Sequence, residues 1–249
     1  MWLQVPDGID DVLWEGSLEP EHESIERLQR SWTGDESRAD AEDVARSLPV
    51  VSIGQPEAWP LATIYKPDRM PPLLRARLFE ADFYLVRLAC SFRPVRRETR
   101  IDWARFAIEL LPDGQGRQPI ADDLHPNEVD QEIQRSIKVS LGPNLKFQGV
   151  EASLGGVEFG LEYPELQPRI IAAGHSSARA SWDYSEVLGV AVRGGKWMHL
   201  LVRAPKGMTS AVAEIYLVAD VATKGALVRA LLRNKPTEMR DHLTVRLWG

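Results

Sequence analysis

Apolar and polar residues alternate with a period of two in many separate segments of this chain, and this pattern constrains the fold more than any other feature. Successive residues of a β-strand face opposite sides of a sheet, so such alternation is typical of half-buried antiparallel strands. Turn-forming sequences such as Pro112-Asp113-Gly114 and Gly142-Pro143-Asn144 separate the segments. The clearest segments are 83–92, 101–111, 133–141, 157–163, 197–203, 211–221 and 243–247.

About eight or nine such strands, each with one apolar face, must pair those faces with one another. The sequence therefore predicts a mainly β protein, an antiparallel two-sheet β-sandwich with a few short helices. Helical spacing and helix-compatible ends predict short helices near 20–31, 39–47 and 71–80. The segment 222–233 fits either a helix or a strand, and its content of Ala, Leu and Arg favours a helix.

Acidic residues are concentrated at the N-terminus. Residues 1–48 contain 13 acids and 4 bases, whereas residues 49–249 contain 23 acids and 26 bases. We therefore divide the chain into an acidic, partly helical N-terminal arm, 1–48, and a β-sandwich domain, 49–249.

The arm carries tryptophans and the body carries clustered arginines, which suggests contact between opposite charges. Tryptophan is favoured as an interface anchor. We predict that the arm contacts the basic surface of its own body or of a partner protein, so that the chain is a non-enzymatic, regulatory or protein-binding module. Nucleic acid is not expected as a partner, because the body is only mildly basic and lacks interleaved aromatic residues. The predicted binding residues are Trp2, Trp14, Trp32, Arg93, Arg96, Arg97 and Arg100.

A hydrolase is the alternative from a second class. Gly174-His175-Ser176-Ser177-Ala178 resembles a nucleophile elbow, and Asp220 and His242 follow in the chain order Ser, Asp, His. However, the motif needs a strand–turn–helix in a parallel sheet, and 179–184 has the pattern of a strand or loop. A turn rich in Gly and Ser is therefore the favoured interpretation of this motif.

The remaining clusters of acidic residues and the single cysteine are better explained by structural roles than by catalysis or metal binding. No cofactor and no metal site are therefore predicted. Asp122, Asp123, His125, Glu128 and Asp130 lack the spacing of a calcium loop and fit a solvated acidic loop. The acidic residues Glu158, Glu162 and Glu165 fit a solvent-facing strand side rather than a catalytic carboxylate pair. The single cysteine, Cys90, lies on an apolar strand face and is expected to be buried and inert.

A lone cysteine, no signal-peptide pattern and no apolar run of membrane-spanning length favour a soluble, cytoplasmic protein. A third possibility is a membrane-active effector, in which amphipathic strands rearrange to face lipid after the arm, acting as an inhibitory segment, is released. The identity of the partner and the oligomeric state are not determined by the sequence.

Overall fold

The structure, a computed structural model, describes residues 11–31, 37–64, 70, 72–129, 137–141, 147–149, 157–161, 169–187, 189, 191–223, 226–233 and 241–249. Within these residues every strand pairing is antiparallel, as the alternating pattern predicts. The strands form two large sheets and one small one, and they are numbered below in chain order together with four helices.

The first sheet has the order β1-β3-β5-β14-β7, with β4 also paired to β5. Its strands are β1 (Val12–Ser17), β3 (Val50–Gly54), β4 (Glu57–Pro60), β5 (Ala81–Arg93), β7 (Ile120–His125) and β14 (Gly194–Pro205).

The second sheet has the order β2-β16-β15-β6-β13-β12-β8, with β17 also paired to β15. Its strands are β2 (Glu19–Pro20), β6 (Arg100–Leu110), β8 (Glu128–Val129), β12 (Arg169–Ala173), β13 (Arg179–Ser185), β15 (Ala211–Thr223), β16 (Ala226–Leu231) and β17 (Leu243–Trp248).

The third sheet is small and has the order β10-β9-β11. Its strands are β9 (Ile137–Leu141), β10 (Phe147–Gly149) and β11 (Val157–Leu161), and the four helices are α1 (His22–Ser31), α2 (Ser37–Ser47), α3 (Leu61–Ile64) and α4 (Pro72–Glu80). Helices near the three predicted positions are therefore present. Among the residues that the structure describes, no helix is both long enough and apolar enough to cross a membrane.

The apolar faces of the two large sheets pack against each other, which confirms the sandwich. Phe92 of β5 meets Tyr184 of β13 edge-on across the interface, with ring centroids 6.4 Å apart. Phe106 and Trp182, from adjacent strands of the second sheet, are fully buried in the same core. Cys90 is also fully buried, which confirms the expectation of burial, and this burial raises the pKa of its thiol to about 12.

The described part of the arm closes one side of the sandwich. Strand β1 pairs with β3 at the edge of the first sheet, and β2 pairs with β16 at the edge of the second. Leu18, between β1 and β2, is 1% exposed and belongs to the core, as do Val44 of α2 and Leu48. The arm therefore covers two sheet edges that would otherwise present unpaired backbone groups.

Hydroxyl groups fix the end of α2 to the body. The Ser47 hydroxyl lies 3.1 Å from the Thr223 hydroxyl, and the Thr99 hydroxyl donates to the Ser47 carbonyl at 3.1 Å. These three side chains are buried, so their mutual hydrogen bonds replace those lost to water.

Two predictions about secondary structure need correction. The segment 222–233 is not helical where the structure describes it, because β15 continues to Thr223 and 226–231 forms β16. Val228 and Ala230 of β16 are buried in the core, so tertiary packing overrides helix propensity. The described residues also contain more strands than the eight or nine expected, since short strands such as β2 and β8 leave little periodic signal.

Candidate functional site

Two of the four predicted arginines contact carboxylates of the arm. The Arg93 guanidinium lies 2.5 Å from Glu15 of β1, and it also donates to the Ser52 hydroxyl at 2.7 Å. Ser52 in turn donates to Glu15 at 2.7 Å. The hydrogen bond from Ser52 and the nearby Arg93 charge lower the pKa of the Glu15 carboxyl.

Arg96 makes the second such contact. Its two terminal nitrogens approach the two Asp43 oxygens at 2.7 and 3.3 Å, a bidentate arrangement between half-buried groups. Arg100 pairs instead with Asp102 and Glu186 of the body, and Arg97 is exposed. The arm-to-body contact is thus present at Arg93 and Arg96, whereas binding of a partner protein at these arginines stays a prediction.

The tryptophans of the arm are described only in part. Trp14 of β1 is half-buried and packs against the core, so at this position the indole attaches the arm to its own body. Trp2 and Trp32 lie outside the described residues.

The structure does not assemble the catalytic triad that was the enzymatic alternative. Arg229 donates two hydrogen bonds to Asp220, at 2.8 and 2.9 Å. His242 instead faces Glu214, at 3.5 Å. Glu214 and Asp220 are six positions apart on β15, which corresponds to roughly 20 Å along a strand. His242 and Asp220 therefore cannot share a hydrogen bond, and the predicted triad of Ser176, Asp220 and His242 is wrong.

The elbow-like sequence instead forms the tight turn between β12 and β13. Gly174 has a φ of 110° and Ser176 a φ of 55°, both in the left-handed region. Backbone hydrogen bonds join Ser176 and Ser177 to Ala121 of the first sheet, and His175 Nε2 lies 2.7 Å from Asp123. The turn therefore links the two sheets. Asp122 and Asp123 lie on strand β7 and are buried, so the expectation of a solvated acidic loop is wrong at these two positions. Arg77 donates to Asp122 at 2.9 and 3.2 Å.

His199 and His125 form a titratable pair. From the sequence, His125 was named only as part of the acidic cluster, and His199 was not named. They are direct partners on β14 and β7, with ring centroids 6.3 Å apart. Burial, reinforced by the neighbouring His125 and Arg87, lowers the pKa of His199 to about 3. Burial likewise lowers the pKa of His125 to about 4. Both imidazoles are thus held neutral at physiological pH.

This pair predicts loss of stability in acid. The unfolded chain protonates a histidine near pH 6.5, whereas the folded chain resists protonation until about pH 3 at His199. The contribution of the neutral His199 to stability is therefore fully present above pH 6.5. It decreases as the pH falls from 6.5 towards 3. We expect His199 to lower the free energy of unfolding by about 3 kcal/mol between pH 7 and pH 4.

Urea unfolding at both pH values checks this expectation. The difference between pH 7 and pH 4 should shrink by about 3 kcal/mol in His199→Gln, because the carboxylates that also titrate are the same in both proteins. An equal pH difference in the two proteins would contradict it.

The third sheet lies between two paired strands in the chain, and its strand β10 also lies close to β7 of the first sheet. The chain leaves the second sheet after β8 and returns at β12, and these two strands are paired, with Val129 opposite Ile170 and Glu128 opposite Ile171. In the part of the chain that the structure describes, β9, β10 and β11 pair only with one another. Residues 130–168 are thus an excursion whose two ends meet.

The register of the third sheet sets apolar residues opposite apolar residues. On β9 and β11, Val139 is the partner of Phe159, Leu141 of Val157 and Ile137 of Leu161. The intervening pairs are Lys138 with Gly160 and Ser140 with Glu158. The pattern was visible in the sequence, but the pairing of these particular segments was not.

No protein-family model and no curated protein matches the sequence. Among solved structures, the chain is similar to the Clostridium perfringens delta-toxin, with a TM-score of 0.43 and 10% identity over 81% of this chain and 84% of that one. A structure described as a pore forming protein gives 0.39 and 10% over 79% and 90%. The membrane-inserted form of the Clostridium perfringens NetB toxin gives 0.32 and 10% over 67% and 83%. Similarity at this level does not assign a function to the chain.

Proposed function

We propose that this chain is a non-enzymatic effector that acts on membranes, and that the excursion 130–168 is the segment that enters the lipid. The observation that carries the proposal is the third sheet, whose paired strands alternate between apolar and polar residue pairs and whose flanking strands in the chain, β8 and β12, are paired with each other. Strands that lie in a bilayer need this alternation, because one face meets lipid and the other does not.

The length of the excursion suits this role. A strand that crosses a bilayer needs about 9–11 residues, and residues 130–168 provide enough chain for two such strands and a turn. Because the two ends of the excursion are held opposite each other by β8 and β12, the segment is able to extend as a hairpin while the sandwich keeps its core.

The arm has a different part in this proposal from the inhibitory one considered in the third sequence-based possibility. Strand β2 lies at one end of the second sheet, and β8, where the excursion begins, lies at the other end. Direct blockage of the excursion by β2 is therefore not supported by the geometry. In our proposal the ion pairs of Glu15 and Asp43 hold the arm on the body and keep two sheet edges covered.

Release of a trapped dye from phosphatidylcholine liposomes, with and without anionic lipid, tests the proposal. We expect the full chain to release dye and Val139→Lys to release it at least about tenfold more slowly, because a lysine on a lipid-facing strand position costs about 2–4 kcal/mol at the bilayer centre. Val139 is chosen because its partner on β11 is Phe159.

Ser140→Lys is the matched control, since Ser140 is the next residue of the same strand and its partner is Glu158. Its leakage should stay within about twofold of the unmodified chain, because a polar position tolerates the charge. Both variants should keep the unfolding midpoint of the sandwich. No leakage by the unmodified chain from either liposome, or equal leakage by the two variants, would sink the proposal.

A further inference from the structure

The outer face of the second sheet contains an open cavity of about 400 Å³ that plays no part in the proposed membrane activity. The floor of the cavity is a row of four residues that are paired across four neighbouring strands. Ala173 of β12 lies opposite Ser181 of β13, Ser181 lies opposite Ala107 of β6, and Ala107 lies opposite Tyr216 of β15. Three small residues in a row leave a trough, and the tyrosine ends it.

Ion pairs form the two long walls of the trough. On one side Arg105 donates two hydrogen bonds to Asp183, at 2.6 and 2.8 Å. On the other side Arg179 lies 2.7 Å from Glu109. These residues occupy the neighbouring rows of the same sheet, so the walls run parallel to the small residues between them.

The closed end of the trough is held by hydrogen bonding. The Tyr216 hydroxyl donates to one carboxylate oxygen of Glu214 at 2.6 Å, and His242 Nε2 lies 3.5 Å from the other oxygen. Burial and the carboxylate of Glu214 raise the pKa of Tyr216 to about 12, so the hydroxyl keeps its proton. The aromatic ring thus has a fixed position at the end of the cavity.

We propose that this cavity binds a neutral saccharide unit. Each guanidinium in the walls has five N–H donors, and the carboxylate beside it accepts some of them while cancelling its charge. The walls therefore offer spare donors and acceptor lone pairs with little net charge, and the Ser181 hydroxyl adds both. The methyl groups of Ala107 and Ala173 and the Tyr216 ring give apolar surface, as the less polar face of a sugar ring requires. The volume lies within the range of small-molecule sites.

A charged ligand fits this cavity less well than a polyol. An anion would compete with Asp183 for Arg105, and a cation would compete with Arg179 for Glu109. In either exchange an ion pair already present is lost, whereas a hydroxyl group adds hydrogen bonds and leaves both pairs in place.

Calorimetric titration of the full chain with methyl glycosides of glucose, galactose, mannose and N-acetylglucosamine tests the proposal. We expect at least one of them to bind. Ser181→Leu, which fills the trough without removing an ion pair, should weaken that binding by at least about tenfold. Tyr216→Phe should weaken it less, because the ring remains.

Thr244→Leu is the matched control, since Thr244 lies opposite Glu214 on the outer face of the same sheet but does not line the cavity. It should leave binding unchanged, and thermal unfolding should show that both leucine variants are folded. Glucuronate and glucosamine are titrated alongside as charged comparisons. The proposal is overturned if no neutral glycoside binds, if Ser181→Leu binds as tightly as the unmodified chain, or if only glucuronate or glucosamine binds. The titration contains no lipid, so its outcome is independent of the leakage experiment.

Discussion

Replacing Leu18 by alanine is expected to lower the free energy of unfolding by about 3 to 5 kcal/mol. Leu18 lies where the arm passes from the first sheet to the second, and its side chain is 1% exposed within the shared core. Its backbone N–H donates to the Pro49 carbonyl at 3.0 Å, so the chain is held in place and is poorly able to close the space left by the missing atoms. Urea unfolding of the full chain measures the effect.

Val12→Ala supplies the control, because Val12 is an apolar residue of β1 that is 49% exposed. Its replacement should change the free energy of unfolding by no more than about 0.5 kcal/mol. If Leu18→Ala costs as little as Val12→Ala, the arm does not contribute to the core, and the interpretation of residues 11–48 as the cover of two sheet edges is wrong.

Replacing Gly174 by alanine is expected to destabilise the protein by about 3 kcal/mol or more. A Cβ atom there would lie 2.0 Å from the Arg179 carbonyl oxygen and 2.7 Å from the Ala180 Cα, both backbone atoms that cannot move aside cheaply. The φ of 110° at Gly174 adds strain for any residue with a Cβ. Thermal unfolding should show a much lower midpoint.

Gly114→Ala is the comparison that isolates the effect of position. Gly114 lies in the turn after β6, and a Cβ built there meets no atom within 4 Å. We expect a change of no more than about 0.5 kcal/mol. A similar loss of stability in both variants would mean that the close approach of the 174–178 turn to β13 is not what requires glycine.

The positions of the longer strands were the part of the fold that the sequence revealed most directly, through the alternation of apolar and polar residues. Phe106, Ile108 and Leu110 share one face of β6, with Arg105 and Glu109 on the other, and their side chains are buried as expected. The helix prediction for 222–233 was wrong because the intrinsic helix propensity of Ala, Leu and Arg is weak and is outweighed by tertiary packing. Here the bidentate pair between Arg229 and Asp220, and the burial of Val228, stabilise a strand next to β15.

The candidate sites were less predictable. Opposite charges on the arm and on Arg93 and Arg96 were visible in the sequence, but the choice of Glu15 and Asp43 as their partners was not. The motif around Ser176 suggested catalysis because spacing carries no information about whether Asp220 and His242 approach each other. The cavity left no signal at all, since Ala107, Ser181 and Tyr216 are far apart in the chain and become neighbours only through strand register.

By itself, then, the sequence determined the local backbone of the longer strands of this protein, its division of charge and the apolar face of most strands, because these follow from side chains a few positions apart. The tertiary structure alone decided which strands are neighbours. That choice depends on packing many side chains into one core, and no short stretch of residues encodes it. It placed the arm across two sheet edges, separated Asp220 from His242, brought the ends of the excursion 130–168 together and formed the trough beside Tyr216.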